Sequence, residues 1–121
     1  MSTILVIEDE KELCDILQAE LTAQGHKVYV ASNGQEGMSK LQEAEPDLII
    51  CDRAMPVMSG YQLLERIRGV YPQYSNLPFI FLTALSDPRD RHSVTHLEPT
   101  AYLEKPVDFD KLNETIKKAI G

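Results

Sequence analysis

Residues 48–53 read Leu48-Ile49-Ile50-Cys51-Asp52-Arg53, four apolar side chains in a row closed by an acid and a base. A run this short, with no polar residue at every second position, predicts a strand covered on both faces. The same pattern opens the chain, where Ile4-Leu5-Val6-Ile7 runs into Glu8-Asp9. Val28-Tyr29-Val30-Ala31 and Leu77 to Leu82 read as further strands, and Ala101-Tyr102-Leu103 as a short fifth one. Pro78 has no N–H to give to a ladder, so it fits only at the start of its strand.

Between these runs the apolar period becomes helical. From Lys11 to Gln24, Leu13, Ile16, Leu17 and Leu21 fall on one stripe, and Gly25 suits the C-terminal cap. Asn33, with Glu36 three residues on, caps a second helix that carries Met38 and Leu41 and stops before Pro46. Ser59 to about Val70 forms a third, packing through Leu63, Leu64 and Ile67. Asp87-Pro88 starts a weak fourth with Val94 and Leu97, and Asp108 caps a last one with Phe109, Leu112, Ile116 and Ile120 on one side.

The order is (βα)5. Apolar strands separated by helices imply an α/β doubly wound sandwich around a parallel five-stranded sheet. Right-handed crossovers leave few topologies, and the flavodoxin-like order 2-1-3-4-5 is the expected one. Such sheets bind ligands outside the carboxyl ends of their strands. In this order Glu8, Asp9, Asp52, Thr83 and Lys105, each just after or at the end of a strand, crowd one edge.

Three carboxylates together raise one another's pKa unless a cation sits among them. Hard oxygen donors suit Mg²⁺, which favours sites that also hold a phosphate. Lys105 adds an ammonium and Thr83 a hydroxyl. Carboxylate, divalent metal, hydroxyl and ammonium are the parts that hold a phosphoryl group, and a carboxylate can itself become an aspartyl-phosphate. Singly, each residue has a plainer role. Asp9 with Glu12 also fits an N-cap pair, Asp52 a turn, Lys105 a solvated lysine and Tyr102 a core aromatic. Their convergence at adjacent strand ends argues for chemistry.

Over its whole length the chain resembles the receiver domains of bacterial two-component response regulators, the CheY-like group. The resemblance rests on Glu8-Asp9, on Cys51-Asp52-Arg53-Ala54-Met55-Pro56, on Ser59-Gly60, on Thr83-Ala84, on Tyr102 and on Lys105-Pro106. It implies that residues 1–121 are one receiver domain with Asp52 as phosphoacceptor. Asp9, Asp52 and the backbone carbonyl of Ala54 would hold Mg²⁺, with Glu8 acting mostly through a water. Thr83 and Lys105 would bind phosphoryl oxygens, and Ala84 would leave room for them. Lys105-Pro106 would be a cis peptide, and Thr83 with Tyr102 a coupled switch pair. The resemblance also implies a histidine kinase or phosphotransfer protein as donor and an output partner that the sequence does not name. The face of the fourth helix, fifth strand and fifth helix would be the surface that changes, and it admits a homodimer. Two departures stand out. Glu98-Pro99 replaces the usual Gly-Ala, and Val107 the usual Phe. Ala54 and Leu85 offer no group to orient a water, which predicts slow self-dephosphorylation.

Composition narrows the alternatives. Nineteen acids against twelve bases give a net charge of −7, which a nucleic acid would repel. No apolar run reaches the ~20 residues of a membrane helix, and no basic segment precedes Ile4, so neither a membrane span nor a signal peptide is expected. Cys14 and Cys51 read as reduced thiols of a cytoplasmic protein. His92 and His96 read as solvated surface residues. The competing function is a metal-dependent phosphohydrolase with an Asp nucleophile. Such enzymes place a second acid two residues later, where Ala54 stands here. A flavodoxin-like cofactor carrier needs a Ser/Thr-rich loop where this chain has Glu8-Asp9.

Overall fold

The computed structural model describes residues 2–53, 55, 58–84 and 101–120. Five strands, β1 (Thr3–Ile7), β2 (Lys27–Ala31), β3 (Leu48–Asp52), β4 (Phe79–Thr83) and β5 (Ala101–Glu104), form one sheet in the order β2-β1-β3-β4-β5. Every pairing is parallel. This is the flavodoxin-like α/β sandwich with a five-stranded sheet in order 2-1-3-4-5. Four α-helices are described: α1 (Lys11–Ala23), α2 (Gly34–Ala44), α3 (Gly60–Val70) and the C-terminal α4 (Phe109–Ile120). The helix expected after Pro88, with His92, His96 and the Glu98-Pro99 segment, lies outside the described residues.

The central strands are apolar because both of their faces are covered. Leu5, Ile7, Ile49, Cys51, Phe79 and Phe81 pack one way with Leu41 of α2 and Leu63, Leu64 and Ile67 of α3. The alternate residues Ile4, Val6, Leu48, Ile50, Ile80 and Leu82 pack the other way with Cys14, Leu17 and Leu21 of α1 and Leu112 and Ile116 of α4. Each fully buried Leu or Ile contributes about 2 kcal/mol of transfer free energy, so the two layers hold the strand ends in fixed register.

Helix boundaries follow local chemistry. Asn33 Oδ1 accepts the Glu36 N–H at 2.8 Å, and Asp108 Oδ1 accepts the Lys111 N–H at 3.1 Å. Ser59 and Gln62 form a reciprocal capping box on α3. Past α1, Gly25 takes φ +93°, which a residue with a Cβ adopts only under strain. One alternative reading and two expectations need correction. The N-cap of α1 is Glu10, with no side-chain cap bond, so Asp9 is not a helix cap. Ile16 is 52% exposed, and Cys14 takes the core position in its place. The fourth strand begins at Phe79, because Pro78 offers only its carbonyl, which accepts the Ile49 N–H at 3.0 Å.

Gly60 starts α3 against the end of β3. A Cβ there would stand 2.8 Å from the Asp52 carbonyl oxygen and 2.9 Å from Arg53 Cα. These are backbone atoms that cannot rotate away. Gly60→Ala should therefore destabilise the chain by about 2 kcal/mol, despite the better helix propensity of alanine. Urea unfolding checks this, and an unchanged midpoint would refute it.

Candidate functional site

Four strand ends supply the polar residues. Ile7 of β1 pairs with Cys51 of β3, so Glu8 and Asp9 emerge beside Asp52. Asp52 pairs with Leu82 of β4, and Thr83 with Glu104 of β5. The Lys105 N–H then donates to the Thr83 carbonyl at 2.7 Å, which carries the lysine onto the same edge. The Lys105–Pro106 peptide is cis.

The carboxylate oxygens of Glu8, Asp9 and Asp52 lie within 4.8 Å of one another. Glu8, Asp52 and Thr83 are buried, whereas Asp9 faces solvent. Lys105 Nζ reaches Glu8 Oε1 and Asp52 Oδ2, each at 3.2 Å, and Glu10 Oε1 at 3.1 Å. The Glu10 N–H donates to Glu8 Oε2 at 3.0 Å, turning the chain so that Glu8 points inward. Tyr102 points outward and is 47% exposed. Ala54 and Leu85 lie outside the described residues.

One ammonium faces more carboxylates than it can neutralise. Burial pushes the Asp52 carboxyl up, and the Glu8 charge and a hydrogen bond with Asp9 add to it, to about 8 against the downward pull of Lys105. Burial also raises Glu8. Burial alone would lower Lys105, but the charges of Asp52 and Glu8 outweigh it and hold the ammonium protonated. Oε1 of Glu8 is buried, and no well-directed hydrogen bond reaches it among the described residues, although the Lys105 ammonium stands 3.2 Å away. Three oxygen-donor acids with surplus negative charge and a buried, unsatisfied oxygen fit a hard cation.

Glu10, Arg53 and Tyr61 were not singled out by sequence reasoning. Glu10 had a signal, being the third acid in Glu8-Asp9-Glu10, but its exposed position hides its contact with Lys105. Arg53 and Tyr61 are brought together by the tertiary fold. The guanidinium carbon lies 4.7 Å from the Tyr61 ring centroid.

A parallel five-stranded sheet in the order 2-1-3-4-5, with acids after its first strand and at the end of its third and a lysine after its fifth, matches known proteins. The family model of the response regulator receiver domain matches residues 4–117. The chain belongs to that family. It is 35% identical over 118 residues to the transcriptional regulatory protein ZraR of Salmonella typhimurium, a match covering 98% of this chain and 26% of that protein. The chain thus spans about a quarter of the length of these curated relatives. Among solved structures, the receiver domain of a signal transduction histidine kinase from Syntrophus aciditrophicus is 32% identical with a TM-score of 0.88, covering 99% of this chain and 90% of that one. Vibrio cholerae chemotaxis protein CheY4 is 28% identical with a TM-score of 0.87, covering 98% of both chains.

The chain is therefore a phosphoacceptor receiver domain with an acidic cluster placed to bind a metal ion. Receiver domains phosphorylate and dephosphorylate themselves and do not turn over a separate substrate, which sets the phosphohydrolase alternative aside. Among the described residues, no helix is long and apolar enough to cross a membrane.

Proposed function

We propose that residues 1–121 form one cytoplasmic receiver domain in which Asp52 accepts a phosphoryl group from the phosphohistidine of a histidine kinase or phosphotransfer protein. One observation carries the reading. The Asp52 carboxylate is buried between strand ends, within 4.8 Å of the Glu8 and Asp9 carboxylates and 3.2 Å from the Lys105 ammonium. An Asp52 oxygen attacks phosphorus, the P–N bond breaks, and the imidazole leaves with its electron pair. Lys105 exchanges a carboxylate contact for a phosphoryl oxygen, and the Thr83 hydroxyl donates to another. Ala84 leaves room for them.

The cation the acids would hold is Mg²⁺, through Asp9, Asp52 and the Ala54 carbonyl, with Glu8 behind a water. When bound, it supplies positive charge that lets the anionic donor approach an acidic site. Thr83 and Tyr102 are read as the switch pair, and phosphorylation as a shift between two packings of the surface around β5 and α4. That surface would meet the output partner or a second copy of the chain. The test is intact mass after incubation with acetyl phosphate and Mg²⁺, with one added phosphoryl group expected and none with EDTA.

Asp9 is the exposed acid of the cluster, so replacing it removes a metal donor with little cost to the core. Asp9→Asn should weaken Mg²⁺ binding at least tenfold and slow phosphorylation in parallel. Calorimetric titration with Mg²⁺ and the acetyl phosphate rate check this together. Normal phosphorylation of the variant with EDTA present would refute the role.

A further inference from the structure

Tyr102 is held outward by a polar contact, although nearly half of its surface remains wet. Its hydroxyl hydrogen-bonds the hydroxyl of Tyr61, in the first turn of α3. Tyr61 is itself buried and packs on Phe81 of β4 with ring centroids 5.0 Å apart, while Phe81 lies 5.7 Å from the Tyr102 ring. Arg53 completes the cluster. Its guanidinium carbon stands 4.7 Å from the Tyr61 centroid and 5.8 Å from that of Tyr102, within reach of the cation–π attraction.

Arg53 directly follows Asp52, and its backbone is clamped on both sides. Its N–H donates to the Leu82 carbonyl at 3.0 Å, and its carbonyl accepts the Gly60 N–H at 2.8 Å. A displacement at the end of β3 therefore moves the guanidinium against two tyrosine rings. We propose that Tyr61 is a latch: its hydroxyl holds Tyr102 outward in the unphosphorylated chain, and Arg53 ties that latch to the strand end bearing Asp52. The proposal deepens the reading of Tyr102 as a switch residue and rests on it for its meaning in signalling. Tyr61 touches no reacting atom and acts as a positioning residue. Burial, with the hydroxyl contact to Tyr61 added to it, pushes the Tyr102 phenol up to about 12, so that group stays protonated near neutral pH.

A half-buried hydroxyl–hydroxyl bond is expected to bias outward against inward Tyr102 about fivefold. Tyr61→Phe keeps the ring on Phe81 and removes only the hydroxyl. The test uses the full chain with ¹³C-labelled tyrosine, the Tyr102 ring signal being assigned from Tyr102→Phe. Without any phosphoryl mimic, the Tyr61→Phe signal should move along the line that the wild type follows when beryllofluoride and Mg²⁺ are added. By reciprocity, beryllofluoride should bind Tyr61→Phe about fivefold more tightly. A purely structural role for Tyr61 would weaken binding. A Tyr102 signal and ring exposure identical in wild type and Tyr61→Phe would overturn the latch. A wild-type Tyr102 signal that ignores beryllofluoride would refute the switch reading instead, and the mimic-free comparison of ring exposure would still decide the latch.

Discussion

Asp52→Asn should abolish phosphoryl incorporation from acetyl phosphate, with no added mass on the intact chain under conditions that fully modify the wild type. The amide nitrogen is no nucleophile, and its oxygen carries no full charge to attack phosphorus. No neighbour can substitute. Glu8 is buried with one carboxylate oxygen accepting the Glu10 N–H and the other 3.2 Å from Lys105 Nζ, and Asp9 faces solvent without a contact to that ammonium among the described residues. Of the clustered carboxylates, Asp52 combines a central strand position with a cation at 3.2 Å. The amide is nearly the same shape, so the two core layers and the cap of α3 stay intact. Undiminished modification of Asp52→Asn, read by intact mass and peptide mapping, would move the acceptor elsewhere.

The site was legible because strand ends are legible. Ile4–Ile7 and Leu48–Cys51 are apolar on both faces, so the residue after each run had to sit at a sheet edge. The parallel order then brought Glu8, Asp9, Asp52 and Lys105 together. Periodicity failed where two stripes compete. Ile16 fits the helical stripe as well as Cys14 does, but Cys14 turns toward the ends of β1 and β2, beside Val30 and Ala31, and Ile16 stays 52% exposed. Asp9 was ambiguous for a related reason. An acid before a helix serves either a cap or a cluster, and only the position of Asp52 in three dimensions decides between them. Arg53 and Tyr61 follow short motifs and meet Tyr102 across about forty residues of chain, a contact no local pattern encodes.

The surplus of carboxylates has a second expected result, on stability. In the metal-free protein Asp52 is raised from an ordinary 3.8 to about 8, first by burial and then by the Glu8 charge. The folded state thus keeps a proton on Asp52 that the unfolded chain releases near pH 4. The stabilisation is fully present below the unfolded pKa and is lost as pH rises through the folded one. Glu8, raised in the same direction, adds to the trend. Unfolding free energy of the metal-free chain should therefore fall between about pH 4.5 and pH 8. The asparagine variant cannot lose this proton. At pH 8 Asp52→Asn should exceed the wild type by about 2 kcal/mol, after allowing for the contact that Lys105 gives up. Groups remote from position 52 are common to both proteins and cancel in their difference. A cation at a hundred times its dissociation constant should return about 2.7 kcal/mol to the wild type and much less to the variant, because it binds the folded state through the acids that repel one another. Urea unfolding in chelator at pH 5.5 and pH 8, repeated with Mg²⁺, measures all of this. If Asp52→Asn were the less stable protein at pH 8 in chelator, the acids would not be in conflict, and their clustering would call for no cation.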